Sequence, residues 1–359
     1  MLRRWFASKG CSVTVYESEF RHFEKVKRTD GGDGRVLVKT IPYYKNISIK
    51  RAMSHHFMAK EAFRLIEKDQ PELLYVLVPS NSLAKCARRY KKKYPQTKLC
   101  IDIVDLWPET LPSCGEKKGF PFTLWRGMRD NAIKAADIVI TECNMYRDVL
   151  GKALAGKNSA VLYLAGNDTE RDIVPPSDDG RLHLCYLGSI NSLIDIQMIS
   201  SLIMSFTALK PVVLHVIGDG EAKRDLLGAA ESSGACVEFH GKIFDDARKK
   251  QIFDLCSFGL NVMKESVCVG LTMKSIDYFE AGLPVINTIK GDTWDLVKEH
   301  GIGLNIRQKS IPQAAKFITS VSAEKVMSIK QATRKVYDDL FSGTAFSKKM
   351  EEIFGDMLK

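Results

Sequence analysis

The run Gly259-Leu-Asn-Val-Met-Lys-Glu-Ser-Val-Cys-Val-Gly-Leu-Thr-Met-Lys-Ser-Ile-Asp-Tyr-Phe-Glu-Ala-Gly-Leu-Pro-Val-Ile-Asn287 gathers the residue types that hold an anion. It reads as a strand, a loop containing Gly270 and Leu271, a helix opening near Thr272, a stop at Gly282 and a strand after Pro284. A glycine-bearing loop that opens onto a helix N-terminus offers unpaired N–H groups at the positive end of the helix dipole, which suits a diphosphate. Lys274 in the first turn can reach a phosphate, and Lys264 in the loop is a second cation. Asp277, about a turn and a half into the helix, can accept hydrogen bonds from ribose hydroxyls. Taken singly, Thr272 as an N-cap and Gly282 as a C-cap account for the same residues without a ligand.

A second constellation is Leu99-Cys-Ile-Asp-Ile-Val-Asp-Leu-Trp-Pro-Glu109, a strand that ends on carboxylates. Asp105 or Glu109 could orient or deprotonate an acceptor hydroxyl. The alternative is that Pro108 makes a turn and Glu109 merely begins the next segment. The seven histidines show no metal-ligand or triad spacing, so core or surface roles are expected for them. Nine cysteines, among them Cys114, are scattered singly with no CxxC pair, and read as reduced structural thiols. No metal or other cofactor is expected. Neither a Walker loop, a nucleophile elbow nor a nucleic-acid module is recognisable.

The elements that must position these residues follow from the apolar pattern. Strand candidates in the first half are Ser12–Tyr16, Arg35–Ile41, Leu73–Val78, Leu99–Val104, Ile138–Thr141 and Ala160–Leu164. Helical stretches such as Ile49–Asp69 and Trp125–Ala136 lie between them. The polar segment Glu170–Gly180, rich in Pro and Gly, reads as a linker. A second series follows: Leu182–Leu187, Val212–Ile217, Val237–His240, Phe258–Val262, Pro284–Asn287 and Gly303–Ile306. At 359 residues, two α/β domains are expected, over 1–170 and 180–340. The last stretch, 344–359, is an amphipathic helix that can dock on either domain. Tandem doubly wound domains take ligands in a crevice at the carboxyl ends of their strands.

The net charge of +10 favours an anionic partner. The cluster Arg88-Arg89-Tyr90-Lys91-Lys92-Lys93 reads first as a solvated helix end complementing the dipole, and second as a surface for anionic lipid. No apolar run approaches the ~20 residues that cross a bilayer, and the first ten residues lack a secretory apolar stretch. A cytoplasmic protein is expected, with the inner face of the plasma membrane as the place where lipid contact would occur.

The run Met273-Lys-Ser-Ile-Asp-Tyr-Phe-Glu-Ala-Gly-Leu-Pro-Val-Ile286 resembles the donor-site helix of family 4 glycosyltransferases, a Glu-x7-Glu motif followed by Ala-x-Gly-x-Pro-Val-Ile. Asp277 stands at the second acidic position, which binds ribose in that family, and Val269 at the first, where it cannot contact sugar hydroxyls. Leu184-Cys-Tyr-Leu-Gly188-Ser189 resembles the family's first strand and turn of the second domain, and His215-Val-Ile-Gly218-Asp219-Gly220 its Ile-x-Gly-Asp-Gly element. Val237-Glu-Phe-His-Gly-Lys-Ile243 resembles the turn whose backbone reads the nucleobase. Ser189 stands where the family carries a clamping Arg, and Asn191–Ile194 supply no Lys. Asp105-Leu-Trp-Pro-Glu109 resembles a signature of bacterial polysaccharide glycosyltransferases in the same family.

The resemblance implies a GT-B fold, two tandem Rossmann-like domains, with the N-terminal one lacking its first strand. It implies retaining transfer of a sugar, without a metal, from a nucleotide-diphosphate donor to a saccharide or lipid-linked saccharide in cell-surface polysaccharide synthesis. Nucleic acid is not an expected partner. A nucleotide-sugar 2-epimerase and a catalytically weak partner subunit of the same fold are the rival readings.

Overall fold

A computed structural model describes residues 1–22, 24–32, 34–45, 48–78, 80–111 and 119–358; Cys114 lies outside them. The chain divides into two compact units, Met1–Tyr163 with Ser347–Lys359, and Leu164–Phe346.

The first unit opens with α1 (Leu2–Ser8) and β1 (Val15–Ser18), then a short antiparallel pair, β2 (Phe20–Arg21) and β3 (Val26–Lys27), and β4 (Arg35–Val38). β1 and β4 pair in parallel, Val15 opposite Arg35 through Ser18 opposite Val38. Next come α2 (Ile49–Asp69), β5 (Leu73–Leu77), α3 (Asn81–Lys93), β6 (Lys98–Ile103), α4 (Phe120–Ala135), β7 (Ile138–Thr141), α5 (Asn144–Val149), α6 (Gly151–Leu154) and β8 (Ser159–Val161). β5 to β8 form a parallel sheet in chain order. Among the described residues no ladder joins it to the β1–β4 pair. Among the described residues the strands of this unit therefore form separate sheets.

Local chemistry sets the helix bounds. Ser48 caps α2 by accepting from Arg51 N–H at 3.2 Å, and Gln70 closes it in the left-handed region at φ 43°. α4 begins at Phe120 rather than Trp125, because Pro121 falls in the first turn, where its missing N–H costs nothing. At the end of α3, Lys91 pairs with Asp137 at 2.8 Å and Lys93 with Glu67 at 3.1 Å, so two cations of the basic cluster have acidic partners.

The second unit contains β9 (Leu182–Leu187), α7 (Ile196–Thr207), β10 (Val212–Ile217), α8 (Lys223–Ser232), β11 (Cys236–Gly241), α9 (Asp246–Leu255), β12 (Phe258–Asn261), α10 (Met273–Glu280), β13 (Val285–Asn287), α11 (Asp292–His300) and β14 (Gly303–Asn305). Helices α12 (Ile311–Ser320) and α13 (Ala323–Leu340) follow, and α14 (Gly343–Phe354) starts in this unit. All six strands are parallel, in the order β11-β10-β9-β12-β13-β14. This is a doubly wound sheet whose order reverses between β9 and β12. Leu184, Tyr186, Leu214, Val216, Phe258 and Leu260 are fully buried on one of its faces, in one core with Leu202, Ile203 and Phe206 of α7.

The boundary differs from the expected linker at 170–180. Residues 164–180 belong to the second unit as an extended strap, because its polar groups find partners there. Gly166 N–H donates to Phe341 O at 2.9 Å, Tyr337 Oη to Asn167 O at 2.8 Å, and Arg171 pairs with Asp254 at 2.9 Å. The last residues go the other way: Phe354 packs on Trp5, Phe6 and Tyr75 of the first unit.

Asp102 is a buried carboxyl on β6, bonded by Tyr75 Oη at 2.6 Å. Burial raises its pKa from 3.8 to about 6. The folded chain thus holds a proton that the unfolded chain releases between those values, and this group's contribution to stability falls as pH rises from about 4 to 6. Urea unfolding at pH 4, 5, 6 and 7 should show that decline, on the order of 3 kcal/mol, in the native chain. Asp102→Asn should flatten it; parallel pH profiles for the two proteins would mean that the carboxyl is already ionised at pH 4.

Candidate functional site

The site grows from the place where β9 and β12 part. β9 pairs with β10 along its whole length, but with β12 only at Leu184–Phe258 and Cys185–Gly259. Tyr278 of α10, fully buried, fills the widening gap. Its Oη accepts from Leu187 N–H at 2.7 Å and donates to Cys185 O at 3.1 Å, replacing the ladder bonds that β12 does not make. Gly259 is required beneath it, since a Cβ there would stand 2.9 Å from the Tyr278 ring. Ligands of doubly wound sheets bind at the carboxyl ends of the strands flanking such a switch point.

Three turns leave those carboxyl ends and are bonded in series. Gly188 N–H donates to Ile217 O at 2.9 Å, and Gly218 N–H to Gly241 O at 2.8 Å. Gly218 has φ 149° and Gly220 φ 157°, and a Cβ on either would collide with the carbonyl of Gly188 or Ile190. Asp219 accepts from Gly220 N–H at 3.0 Å and pairs with Lys223 at 3.3 Å. Gly218, Asp219 and Gly220 therefore act on the site by fixing the turns. Ser189 is exposed, with its carbonyl held by Tyr186 Oη at 3.0 Å. Ile243 is half-buried on the turn after β11, beside Phe244, whose ring is 88% exposed. Sequence reading passed over Phe244; an aromatic directly after the Gly-Lys-Ile turn was the available signal.

α10 faces this edge. Thr272 Oγ1 caps Ser275 N–H at 3.2 Å, while among the described residues nothing accepts from the N–H groups of Met273 and Lys274. The loop before it is braced by Thr293, whose N–H and Oγ1 donate to Gly270 O at 2.8 and 2.9 Å, and Leu271 is buried. Lys264 donates its N–H to Leu193 O at 3.0 Å and extends an exposed side chain. Lys274 is half-buried, its amine 5.0 Å from the Tyr186 ring centroid and paired with no carboxylate among the described residues. Burial lowers its pKa to about 8. The bare Gly188 leaves room beside it, since a Cβ there would touch Lys274 Cδ at 3.9 Å. Asp277 is half-buried, its carboxylate in no hydrogen bond or ion pair among the described residues, and burial raises its pKa against the pull of Lys249. Two other carboxylates near Val269 in the sequence are engaged: Glu265 with Lys290 at 2.6 Å and Glu280, which accepts from Thr169 Oγ1 at 3.1 Å.

An asparagine ladder, unnoticed in the sequence, holds α10 to the sheet. Asn261, Asn287 and Asn305 occupy matching positions on β12, β13 and β14. Asn261 Nδ2 donates to Ser275 Oγ and Asn287 Oδ1, both at 3.0 Å, and Asn287 Nδ2 to Asn305 Oδ1 at 2.8 Å. The recurrence of Asn at the ends of three successive strands was the legible hint.

In the first unit, the two carboxylates of the Asp-Leu-Trp-Pro-Glu run differ sharply. Asp105 accepts from Thr110 Oγ1, and burial raises its pKa. Burial pushes Glu109 up too, but the guanidiniums of Arg129 and Arg126, each at 2.7 Å, outweigh it and leave its pKa lowered. Arg129 is itself buried and also bonds Trp107 O at 3.0 Å. Glu109 is thus placed to pin the turn, and it is a poor proton acceptor; Asp105 is the better base.

No family model matches the chain, and no curated protein matches it in sequence. Solved structures do. Sucrose-phosphate synthase from Thermosynechococcus elongatus superposes with a TM-score of 0.73 at 13% identity, covering 99% of this chain and 92% of that one. HepE from Anabaena, solved with UDP, gives 0.65 at 13% identity over 90% and 86% of the two chains. The lipopolysaccharide outer core galactosyltransferase WaaB gives 0.64 at 14% identity over 93% and 88%. The chain has the GT-B fold. In that fold, the residues around Gly188, Lys274 and Asp277 belong to the second Rossmann-like unit.

Tyr278→Phe removes the hydroxyl that serves both Leu187 N–H and Cys185 O and strands two buried backbone groups. Chemical denaturation should show a loss of about 2–3 kcal/mol. A loss below 0.5 kcal/mol would show that β9 and β12 hold their spacing without it.

Proposed function

We propose that the chain transfers a glycosyl group from a nucleotide-diphosphate sugar to a saccharide hydroxyl. The observation that carries this reading is one cation and one carboxylate, Lys274 and Asp277, left without a salt bridge or side-chain hydrogen bond among the described residues, on a helix whose first N–H groups are also unused, at the switch point of the sheet. The diphosphate lies against the start of α10 and Lys274. The ribose hydroxyls meet Asp277, and the base lies by the Gly241–Phe244 turn. Backbone amides, the helix dipole, Lys274 and Lys264 then stabilise the departing diphosphate without a metal. Asp105 is the carboxylate suited to an acceptor hydroxyl.

UDP-sugars are the first donors to test, a choice supported by the UDP and UDP-glucose complexes of HepE. The similarity to WaaB supports a lipid-linked or polysaccharide acceptor, and a retaining outcome follows from the family resemblance. Among the described residues no helix is long and apolar enough to cross a membrane. The exposed Arg89 and Lys92 of α3 are the residues we assign to contact with anionic lipid.

Calorimetry with UDP-, GDP- and dTDP-sugars tests the reading, and no binding of any of them would sink it. Lys274→Met should weaken donor binding at pH 7 by roughly 10–100-fold, the worth of a charged hydrogen bond, while Lys274→Arg keeps most of it. Lys274 is charged below its pKa of about 8 and neutral above it. Donor affinity in the native chain should therefore fall as pH rises past 8, and the Met variant should lack that limb.

A further inference from the structure

Three histidines that lie far apart in the sequence become a ladder across β9, β10 and β11. The His183 and His215 rings stack at 5.3 Å, and those of His215 and His240 at 5.4 Å, with planes within 21° and 11°. Parallel pairing sets His215 opposite Glu238, and a register shift after Phe239 leaves His240 without a strand partner, its ring against that of His215.

The hydrogen bonds set their tautomers. His183 Nε2 lies 3.1 Å from Asp179 Oδ2, and Arg181 keeps that carboxyl well below the usual carboxylate range, so it only accepts. With His183 neutral, its proton sits on Nε2 toward Asp179 and its bare Nδ1 receives the Nε2–H of His215 at 2.9 Å. His215 in turn presents a bare Nδ1. This lone pair points at His240 Nε2, 3.1 Å away, and at the Glu238 carboxylate, 3.2 Å away. His240 can satisfy the first contact with an N–H, but in this arrangement of protons the second sets one acceptor against another. A cation held between the three groups removes that conflict.

The spacing fits a metal. The three ligand atoms lie within 4.8 Å of one another. Ligands at 2.0–2.1 Å from a tetrahedral ion stand about 3.3 Å apart, close to the two shorter separations found here. Imidazole and carboxylate donors suit zinc and its first-row neighbours. We propose that His215 Nδ1, His240 Nε2 and a carboxylate oxygen of Glu238 form a three-ligand site for a divalent transition ion of the zinc type. Glu238, its side chain 45% exposed, gives the site access from solvent. His183 and Asp179 are the outer shell that orients His215, a carboxylate–histidine–metal relay with one extra histidine.

The spacing of the histidines in the sequence does not reveal this site, because its ligands come from two strands and its outer shell from a third. The site is separate from Lys274 and Asp277 and does not depend on the donor reading.

The test uses the full chain without a polyhistidine tag, stripped with EDTA and titrated with ZnCl2 by calorimetry and with CoCl2 by visible absorption. One equivalent should bind, and cobalt should give the intense bands of a tetrahedral centre. His240→Ala and Glu238→Gln, both changes at partly exposed positions, should abolish stoichiometric binding with the circular dichroism spectrum unchanged. Asp179→Asn should weaken it about 10–100-fold. The proposal is overturned if the native chain takes up no zinc or cobalt, or if His240→Ala and Glu238→Gln bind both with unchanged stoichiometry and affinity.

Discussion

The second unit depends on Tyr278 standing between β9 and β12. Two parallel strands normally satisfy each other's backbone, and here they stop doing so after a single pair of registers. One phenol takes over, accepting from Leu187 and donating to Cys185 from a fully buried position. Because Tyr278 belongs to α10, the same hydroxyl that props the strands apart also sets the depth and tilt of the helix whose N-terminus faces the opening. The Asn261–Asn287–Asn305 ladder holds the first turn of that helix from the other side through Ser275. Rigid supports on two sides let the first N–H groups of α10 remain unused without the helix shifting to use them.

The same contrast between satisfied and unsatisfied groups separates scaffold from site in the charges. Glu109, with two arginines, and Arg171, with Asp254, are buried or half-buried ions that have found partners, as such ions must. Lys274 and Asp277 are half-buried ions that have no salt bridge among the described residues. Burial pushes both toward their neutral forms, which is a standing cost to the fold. A bound diphosphate and ribose would relieve it. That cost is the physical argument for a ligand, and it is stronger than the motif, in which Val269 and Ser189 replace the residues expected to carry charge.

How far the sequence reading reached depended on whether a feature is local. Period-two and helical apolar patterns placed β7, β9, β10 and α2 at their observed bounds and the other second-unit strands within a residue. The Thr272 cap and the Gly188, Gly218 and Gly220 turns were legible because capping and left-handed backbone are properties of a few neighbouring residues. The boundary at 164 was not, since a strap and a linker have the same polar, Pro-rich composition and differ only in whether partners such as Tyr337 and Asp254 are waiting. Nor was the division between Asp105 and Glu109, which rests on two arginines from a helix that starts eleven residues further on.

By itself, then, the sequence determined the α/β alternation, the strand-loop-helix run from Gly259 to Asn287 and the chemical types available there. Tertiary structure decided which charges are answered, through Arg129 on Glu109 and, among the described residues, through no carboxylate on Lys274. It also brought His183, His215 and His240 into one ladder and Tyr278 into the gap between strands. The reason is register: a strand's own residues dictate which side chains share a face, but which face meets which neighbour, and at what height, is settled only when the sheet assembles.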